Sequence, residues 1–192
     1  MTTSYDASGV HPVLGVDAGT TTLREADHLV RALASTLALP PGTVACTHLI
    51  RTDARRGTAV SLELPDHASA ANAWRHLTES EPPPGHREAA AHAAAEHTAR
   101  RSGRAVLFPG AEHLTGTIPL SDLLELTAID RVTVVGATSG ELPAPTTPVH
   151  TQNHVRPEWR DGELVLALVP AVGNTLAPFE VPNPTPCCAD HP

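Results

Sequence analysis

Asp161 and Gly162 constrain the fold of this chain most strongly, because they separate two strand-like segments. Both central residues of a type I′ turn need positive φ angles, which Asp-Gly tolerates, so the pair predicts a β-hairpin. The first arm runs from about His154 to Arg160 and the second from Glu163 to Val169. Apolar residues occupy both faces of the second arm, which predicts a central strand covered on both sides.

A third strand from Leu176 to Val181 completes a predicted antiparallel meander in the C-terminal region, residues 149–192. Pro157 lies in the first arm and Pro178 in the third strand. Proline cannot donate a ladder hydrogen bond, so both outer strands are predicted to be sheet edges. Pro170 is expected to end the middle strand.

The remaining chain alternates helical and strand patterns. Thr22 and Glu25 form a capping box before a predicted helix over residues 23–38. Asp27, His28 and Arg31 fall on the polar side of this helix, where we expect them to be solvated. Strands are predicted at 44–50 and 58–64, helices at 66–79 and 86–102, and a β–α–β unit over 104–135.

These elements predict an α/β or α+β fold: a mixed sheet with three or four packed helices and a C-terminal antiparallel β-meander. The length of 192 residues fits a single domain. Residues 1–19 are expected to form a loose N-terminal arm, and residues 149–192 the meander with a tail rich in cysteine and histidine.

Composition narrows the possible partners. The formal net charge is −8, and all thirteen basic side chains are arginine. A protein of this charge repels phosphate, which argues against general nucleic-acid binding. We expect no membrane association, because no segment approaches the roughly 20 apolar residues of a membrane span. The N-terminal segment lacks the features of a signal peptide, so a cytoplasmic protein is expected. Abundant Ala, Pro and Arg are typical of a high-GC bacterial genome.

Three residues of the tail, Cys187, Cys188 and His191, have the ligand chemistry that Zn²⁺ or Cu(I) prefers. A fourth ligand would have to come from elsewhere, and His150 and His154 are nearest in sequence. If residues 150–154 form a strand, these two histidines point the same way, but their Cα atoms lie about 13 Å apart, too far to ligate one ion. If the residues form a helical turn, both histidines lie on one face and could bind. The alternative is an exposed tail with two free thiols.

Catalytic candidates lie after the two strands of the predicted β–α–β unit, since ligands bind beyond the carboxyl ends of parallel strands. Glu112 and His113 could supply acid–base chemistry, and Ser139 or Thr138 a hydroxyl. The same residues are also consistent with purely structural loops, since Gly136–Gly140 does not form a nucleophile elbow.

Two further candidates lie in the N-terminal half. Arg51, Arg55 and Arg56 cluster in one turn and could bind a phosphate or carboxylate, unless they only solubilise a hairpin tip. His48 shares a strand face with apolar residues, which favours a core histidine hydrogen-bonded to backbone over a functional one.

Residues 13–22 read Val-Leu-Gly-Val-Asp-Ala-Gly-Thr-Thr-Thr. This stretch resembles the phosphate-binding turn of sugar kinases and other actin-fold ATPases. In that family the turn joins two strands of a far longer chain, whereas here the stretch leads directly into a predicted helix. We therefore do not assign the chain to that family.

Three functions are compatible with these features. The first is an accessory or binding protein for a small molecule or a protein partner, with a Zn or Cu site in its tail. The second is a small enzyme that uses Glu112 and His113. The third is a subunit that docks onto itself or a partner through a sheet edge. The absence of a cofactor fingerprint or nucleophile motif favours the first.

Overall fold

The computed structural model describes residues 2–6, 11–77, 85–136 and 143–182. Within these ranges the helices are α1 (Leu23–Thr36), α2 (His67–Leu77), α3 (His86–Thr98) and α4 (Leu120–Leu126). The strands are β1 (Thr2–Asp6), β2 (Val13–Asp17), β3 (Val44–Arg51), β4 (Arg56–Glu63), β5 (Arg104–Leu107), β6 (Thr117–Pro119), β7 (Arg131–Val134), β8 (Pro148–His150), β9 (Glu158–Arg160), β10 (Glu163–Ala171) and β11 (Thr175–Pro178).

These eleven strands form one mixed sheet. Its order is β1-β2-β4-β3-β5-β9-β10-β11-β8-β6, and β7 pairs with β10 outside this path. The pairs β7–β10 and β11–β8 are parallel, and the other pairs are antiparallel. Together with the helices α1 to α4, the sheet makes an α+β fold, which confirms the predicted fold class.

The hairpin at positions 161 and 162 forms as predicted. Asp161 has a φ of 52° and Gly162 a φ of 91°, which are the positive values that the turn requires. Arg160 pairs with Glu163 across the turn. The middle strand β10 pairs with β9, β11 and β7, and Leu164 to Leu166 are buried, so the prediction of a central strand is confirmed.

The predicted sheet edges are wrong. β9 pairs with β5, and the carbonyl of Pro157 accepts a hydrogen bond of 2.7 Å from the amide of Ala105. β11 pairs with β8 through Leu176, while Pro178 lies at its last position. Proline loses only its donor, and in both places its carbonyl or a neighbouring residue maintains the pairing. Pro170 likewise lies within β10 and does not end it.

Residues 2–6 and 13–17 are strands of the sheet, which corrects the prediction of a loose arm over 1–19 for these described residues. Strand β2 pairs with β1 on one side and β4 on the other, and Leu14 and Val16 are fully buried. These two side chains pack with apolar residues of α1 and α2 on one face of the sheet. On the opposite face α3 comes so close that a Cβ atom on Gly15 would lie 1.9 Å from the carbonyl oxygen of Ala90.

The predicted β–α–β unit forms different pairs. β5 pairs with β3 and β9, whereas β7 pairs in parallel with β10. The two strands are therefore not neighbours in the sheet. The buried residues of α4, Leu120 and Leu123, complete a core with Trp159 and the leucines of β10.

Among the described residues, no helix is long and apolar enough to cross a membrane.

Candidate functional site

A groove of about 1170 Å³ lies between α1 and the C-terminal strands. This volume is slightly above the range of about 300–1,000 Å³ that is typical of ligand pockets. One wall comes from α1, and the other comes from residues 154–160 and 178–182. The α1 wall consists of Leu23, Arg24, Asp27, His28 and Arg31.

The floor of the groove contains a buried ion pair. The Nη1 atom of Arg104 donates to Oδ1 of Asp27 at 2.5 Å and to Oγ1 of Thr47 at 3.2 Å. Burial alone would raise the pKa of Asp27, but Arg104 and Arg156 bind the carboxylate and lower the pKa below its usual value. Asp27 was predicted to be solvated, and this is wrong, since only 5% of the residue is exposed.

A second carboxylate, that of Glu180, binds the same guanidinium. Nε of Arg104 donates to Oε2 of Glu180 at 2.5 Å, and Nη2 donates to Oε1. Nε2 of His154 lies 2.9 Å from Oε1. Burial would raise the pKa of Glu180, but these contacts lower it, so the carboxylate is ionised at neutral pH.

Arg156 adds a further buried cation. Its Nε and Nη2 atoms donate to Oδ2 of Asp27 at 3.1 and 3.0 Å. Burial lowers the pKa of Arg156 despite the attraction of Asp27, and the positive charges of Arg104 and Arg31 lower it further. Arg31 is exposed, and no carboxylate among the described residues forms an ion pair with it. The groove therefore has more positive charge than its own carboxylates neutralise.

The arginines of the chain are concentrated here. Five arginines and three carboxylates line the groove. The groove thus carries a formal charge of about +2, whereas the whole protein carries −8. At the rim, Nη2 of Arg160 donates to Glu158 at 2.8 Å, and the Arg160 side chain is 50% exposed. Electrostatic focusing in a cleft of one sign favours ligands of the opposite sign.

The groove also has an apolar side. Val165, Ala167 and Pro178 line it, and Phe179 and Val181 extend it towards solvent. Phe179 is 61% exposed and Val181 is 38% exposed. A ligand that combined a negative charge with a hydrocarbon body would contact both kinds of surface.

Two sequence periodicities place these residues. Arg24, Asp27, His28 and Arg31 recur at helical spacing on α1, so they share one face. From His154 to Arg160 every second residue lines the groove, while Val155, Pro157 and Trp159 are buried on the other side. This period of two could have identified the second wall from sequence, but nothing local indicates that it faces α1.

The predicted catalytic residues do not lie in the groove. Glu112 and His113 belong to the 3-10 helix Ala111–His113, where their side chains are 73% and 51% exposed. Glu112 Oε1 is 3.8 Å from His113 Nε2. The structure brings no groove residue to this pair. Ser139 and Thr138 lie outside the described residues.

The predicted metal ligands are only partly described. Cys187, Cys188 and His191 lie outside the described residues. Residues 151–153 form no helix, so His150 and His154 are not on one helical face. His150 contacts Oγ1 of Thr117 at 2.6 Å, whereas His154 contacts Glu180. Within the described ranges, no group of three or more histidine, cysteine or acidic side chains could hold a metal ion.

The predicted anion-binding arginines separate into two kinds. Arg55 is buried, and its Nε and Nη2 atoms donate to the Asp17 carboxylate at 3.1 Å each. Nη2 also donates to the carbonyl of Thr20 at 2.8 Å. This guanidinium fixes the turn after β2. Arg51 and Arg56 are exposed at the ends of β3 and β4, where their anion binding stays a prediction.

His48 lies in a buried chain of polar side chains between the sheet and α3. Its Nε2 is 2.8 Å from Oγ of Ser61, which is 2.7 Å from Nδ1 of His97. His97 Nε2 lies 3.1 Å from Oε2 of Glu63, an ion-pair contact whose geometry falls short of a hydrogen bond. His48 was expected to bond to backbone, but its partner is a serine side chain. These residues are buried away from any described groove, which indicates a structural role.

Comparison with known proteins supplies no relative. No protein family, no curated protein and no solved structure matches this chain. The case for a function therefore depends on the chemistry of the groove.

Proposed function

We propose that this protein is a binding protein that holds a small organic anion, a carboxylate or a phosphate with an apolar body, in the groove beside α1. The observation that carries the proposal is the clustering of five of the thirteen arginines around one groove in an acidic protein. Guanidinium groups bind carboxylate and phosphate through paired charge-assisted hydrogen bonds, and a cleft strengthens them.

The rim arginines Arg31 and Arg160 would attract an anion into the groove. Arg31 forms no ion pair with a described residue, and Arg160 shares its guanidinium with a half-exposed glutamate. Both can therefore turn to an anion at little cost. The buried cations Arg104 and Arg156 add to the positive potential. Phe179 and Val181 would cover the apolar part of the ligand, because burial of that surface is favourable.

The proposal is tested by isothermal titration calorimetry with phenylacetate, phenyl phosphate and uncharged phenylacetamide. We expect both anions to bind and the amide to bind at least tenfold more weakly. The double variant Arg31→Ala/Arg160→Ala should weaken anion binding by about tenfold or more, since one charge-assisted contact contributes about 1.4 kcal/mol or more.

Arg101→Ala is the matched control. Arg101 donates to Glu96 at 2.6 Å and is 64% exposed, which resembles the Arg160–Glu158 pair, but it follows α3 on the other face of the sheet. We expect this variant to bind within twofold of the wild type. Equal losses in Arg101→Ala and the double variant, or no anion binding at all, would contradict the proposal.

The other proposals rest on weaker support. A Zn or Cu site in the tail and a cytoplasmic location stay predictions. Enzymatic use of Glu112 and His113 stays a prediction as well, although their exposure provides no pocket for a substrate. Self-association or a protein partner also stays a prediction, and light scattering over a range of concentrations would test the first of these.

A further inference from the structure

The carboxylate of Glu180 lies in the groove in the way that a bound ligand would. The guanidinium of Arg104 donates hydrogen bonds to this carboxylate from Nε and Nη2, and His154 Nε2 lies 2.9 Å from its Oε1 atom. Two parallel N–H donors from one arginine form the geometry by which proteins recognise a free carboxylate. A histidine on the second side of the oxygen completes a three-donor site.

This site is held in place independently of Glu180. The side chains of Arg104 and His154 are 8% and 13% exposed, whereas that of Glu180 is 34% exposed. The remaining donors of Arg104 bind Asp27 and Thr47, both on the other side of the guanidinium. If the Glu180 side chain left, the Nε and Nη2 donors of Arg104 would therefore remain aimed at the groove, and His154 would remain beside them in its largely buried position.

Glu180 is anchored to the fold less firmly than Arg104 and His154 are. It lies two residues after Pro178, the last residue of β11, and belongs to no helix or strand. The backbone of its neighbour Phe179 donates to the carbonyl of Ala167 at 2.9 Å, so the main chain is fixed one residue earlier. The Glu180 side chain can exchange its position in the site for water by rotation about its own bonds.

We infer that Arg104 and His154 form a carboxylate subsite that Glu180 occupies when no ligand is present, and that the carboxylate of the ligand displaces it. The inference rests on the proposed function and narrows the ligand to a carboxylic acid with an apolar body. One carboxylate replaces another, so the exchange leaves the charge around Arg104 unchanged. Only the occupancy of the site by Glu180 opposes binding, which lowers the apparent affinity in the manner of an intramolecular competitor.

The test compares the affinity of phenylacetate for the wild type, Glu180→Gln and Glu158→Gln by calorimetry at pH 7. Glutamine is isosteric but binds an arginine fork far more weakly, so Glu180→Gln should bind phenylacetate at least tenfold more tightly. Glu158 is the matched control, because it also lines the groove but contacts Arg160 and not Arg104. Its glutamine variant removes the same charge and releases Arg160, but because that ion pair is half exposed and contributes little, it should tighten binding by no more than about threefold.

The outcomes separate the two proposals. Equal affinity in the wild type and Glu180→Gln overturns the displacement but leaves anion binding intact. Equal tightening in both glutamine variants also overturns it, because a general charge effect would then suffice. If none of the three proteins binds phenylacetate, both proposals fail.

A second variant decides the question if Glu180→Gln does not fold, as shown by its urea unfolding curve. Glu180→Asp keeps the charge but withdraws the carboxylate from Arg104 by one methylene. We expect phenylacetate to bind this variant about threefold more tightly than the wild type. An affinity equal to or weaker than that of the wild type contradicts displacement.

Discussion

At the scale of single residues, the buried charges of the groove are all partnered. Arg104 contacts two carboxylates, and Asp27 contacts two guanidinium groups. Removal of one partner from such a cluster costs about 3–5 kcal/mol, because the other charge remains buried. His48, by contrast, is buried in its uncharged form. Burial lowers its pKa to about 3, aided by the nearby His97 and His92, so the ring is neutral.

The neutral state of His48 makes stability depend on pH. In the unfolded chain its pKa is about 6.5, so the unfolded state takes up a proton first as the pH falls. Stability is therefore lost progressively below about pH 6.5. We expect the wild type to lose about 1.4 kcal/mol more than His48→Gln between pH 7.5 and pH 5.5, as measured by urea unfolding.

The acidic groups contribute little to the change in stability between pH 7.5 and pH 5.5. Asp27, Glu63 and Glu180 have pKa values that the fold lowers from ordinary carboxylate values, so their contribution is lost only at lower pH. The histidines remote from His48 are common to both proteins and cancel in the comparison. Parallel stability profiles for the wild type and His48→Gln would show that His48 titrates in the folded protein as it does in the unfolded one.

The groove illustrates which residue roles a sequence can indicate. Asp27 occupies a polar helix position, and solvation was the natural expectation. Its partners Arg104 and Arg156 lie 77 and 129 residues further along the chain, and only the tertiary fold brings them together. Local pattern gives the face on which a residue lies but not what meets that face.

At the scale of elements, the locally encoded features agree with prediction. The capping box of Thr22 and Glu25 is present at the start of α1. Asp66, where the second helix was predicted to begin, caps α2 by accepting from the amide of Ser69 at 2.8 Å. The Asp161–Gly162 turn forms for the same reason, since its geometry depends on two residues alone. The neighbours of β5, β7, β9 and β11 in the sheet also depend on distant segments. The predicted pairing of β5 with β7 and the edge positions of β9 and β11 were therefore wrong, whereas the meander pairs β9–β10 and β10–β11 form as predicted.

The packing of α3 on β2 gives a test at this scale. Gly15 has no Cβ, and one added there would lie 1.9 Å from Ala90 O and 3.2 Å from Ala94 Cβ. Because the nearer atom belongs to backbone, α3 would have to move. We expect Gly15→Ala to lower the free energy of unfolding by about 3 kcal/mol in urea, at the upper end of overpacking effects.

Gly116→Ala serves as the control. Gly116 has a φ of 62°, and a Cβ there would meet nothing within 4 Å. That variant should cost about 1–2 kcal/mol, from backbone strain alone. If Gly15→Ala is no more destabilising than Gly116→Ala, the close contact between α3 and β2 is not present in solution.

At the scale of the whole molecule, the sheet is continuous from the N-terminal strands to the C-terminal meander, and the groove depends on that continuity. One wall of the groove, α1, belongs to the N-terminal part of the chain. The opposite wall contains residues 154–160 of the C-terminal part. β5, which pairs with both β3 and β9, joins the two parts and provides Arg104 at its first position. The mixed sheet was predictable from the order of elements, but the groove arises only when distant strands are joined.

The most direct measurement is a crystal structure of the protein with 4-bromophenylacetate, in which anomalous scattering locates the bromine. We predict a bromine peak against the apolar side of the groove, near Val165, Pro178 and Phe179, with the carboxylate in hydrogen-bonding contact with a groove arginine. A bromine peak elsewhere on the protein, or no peak at a concentration that saturates binding in solution, would contradict the assignment of this groove as an anion-binding site.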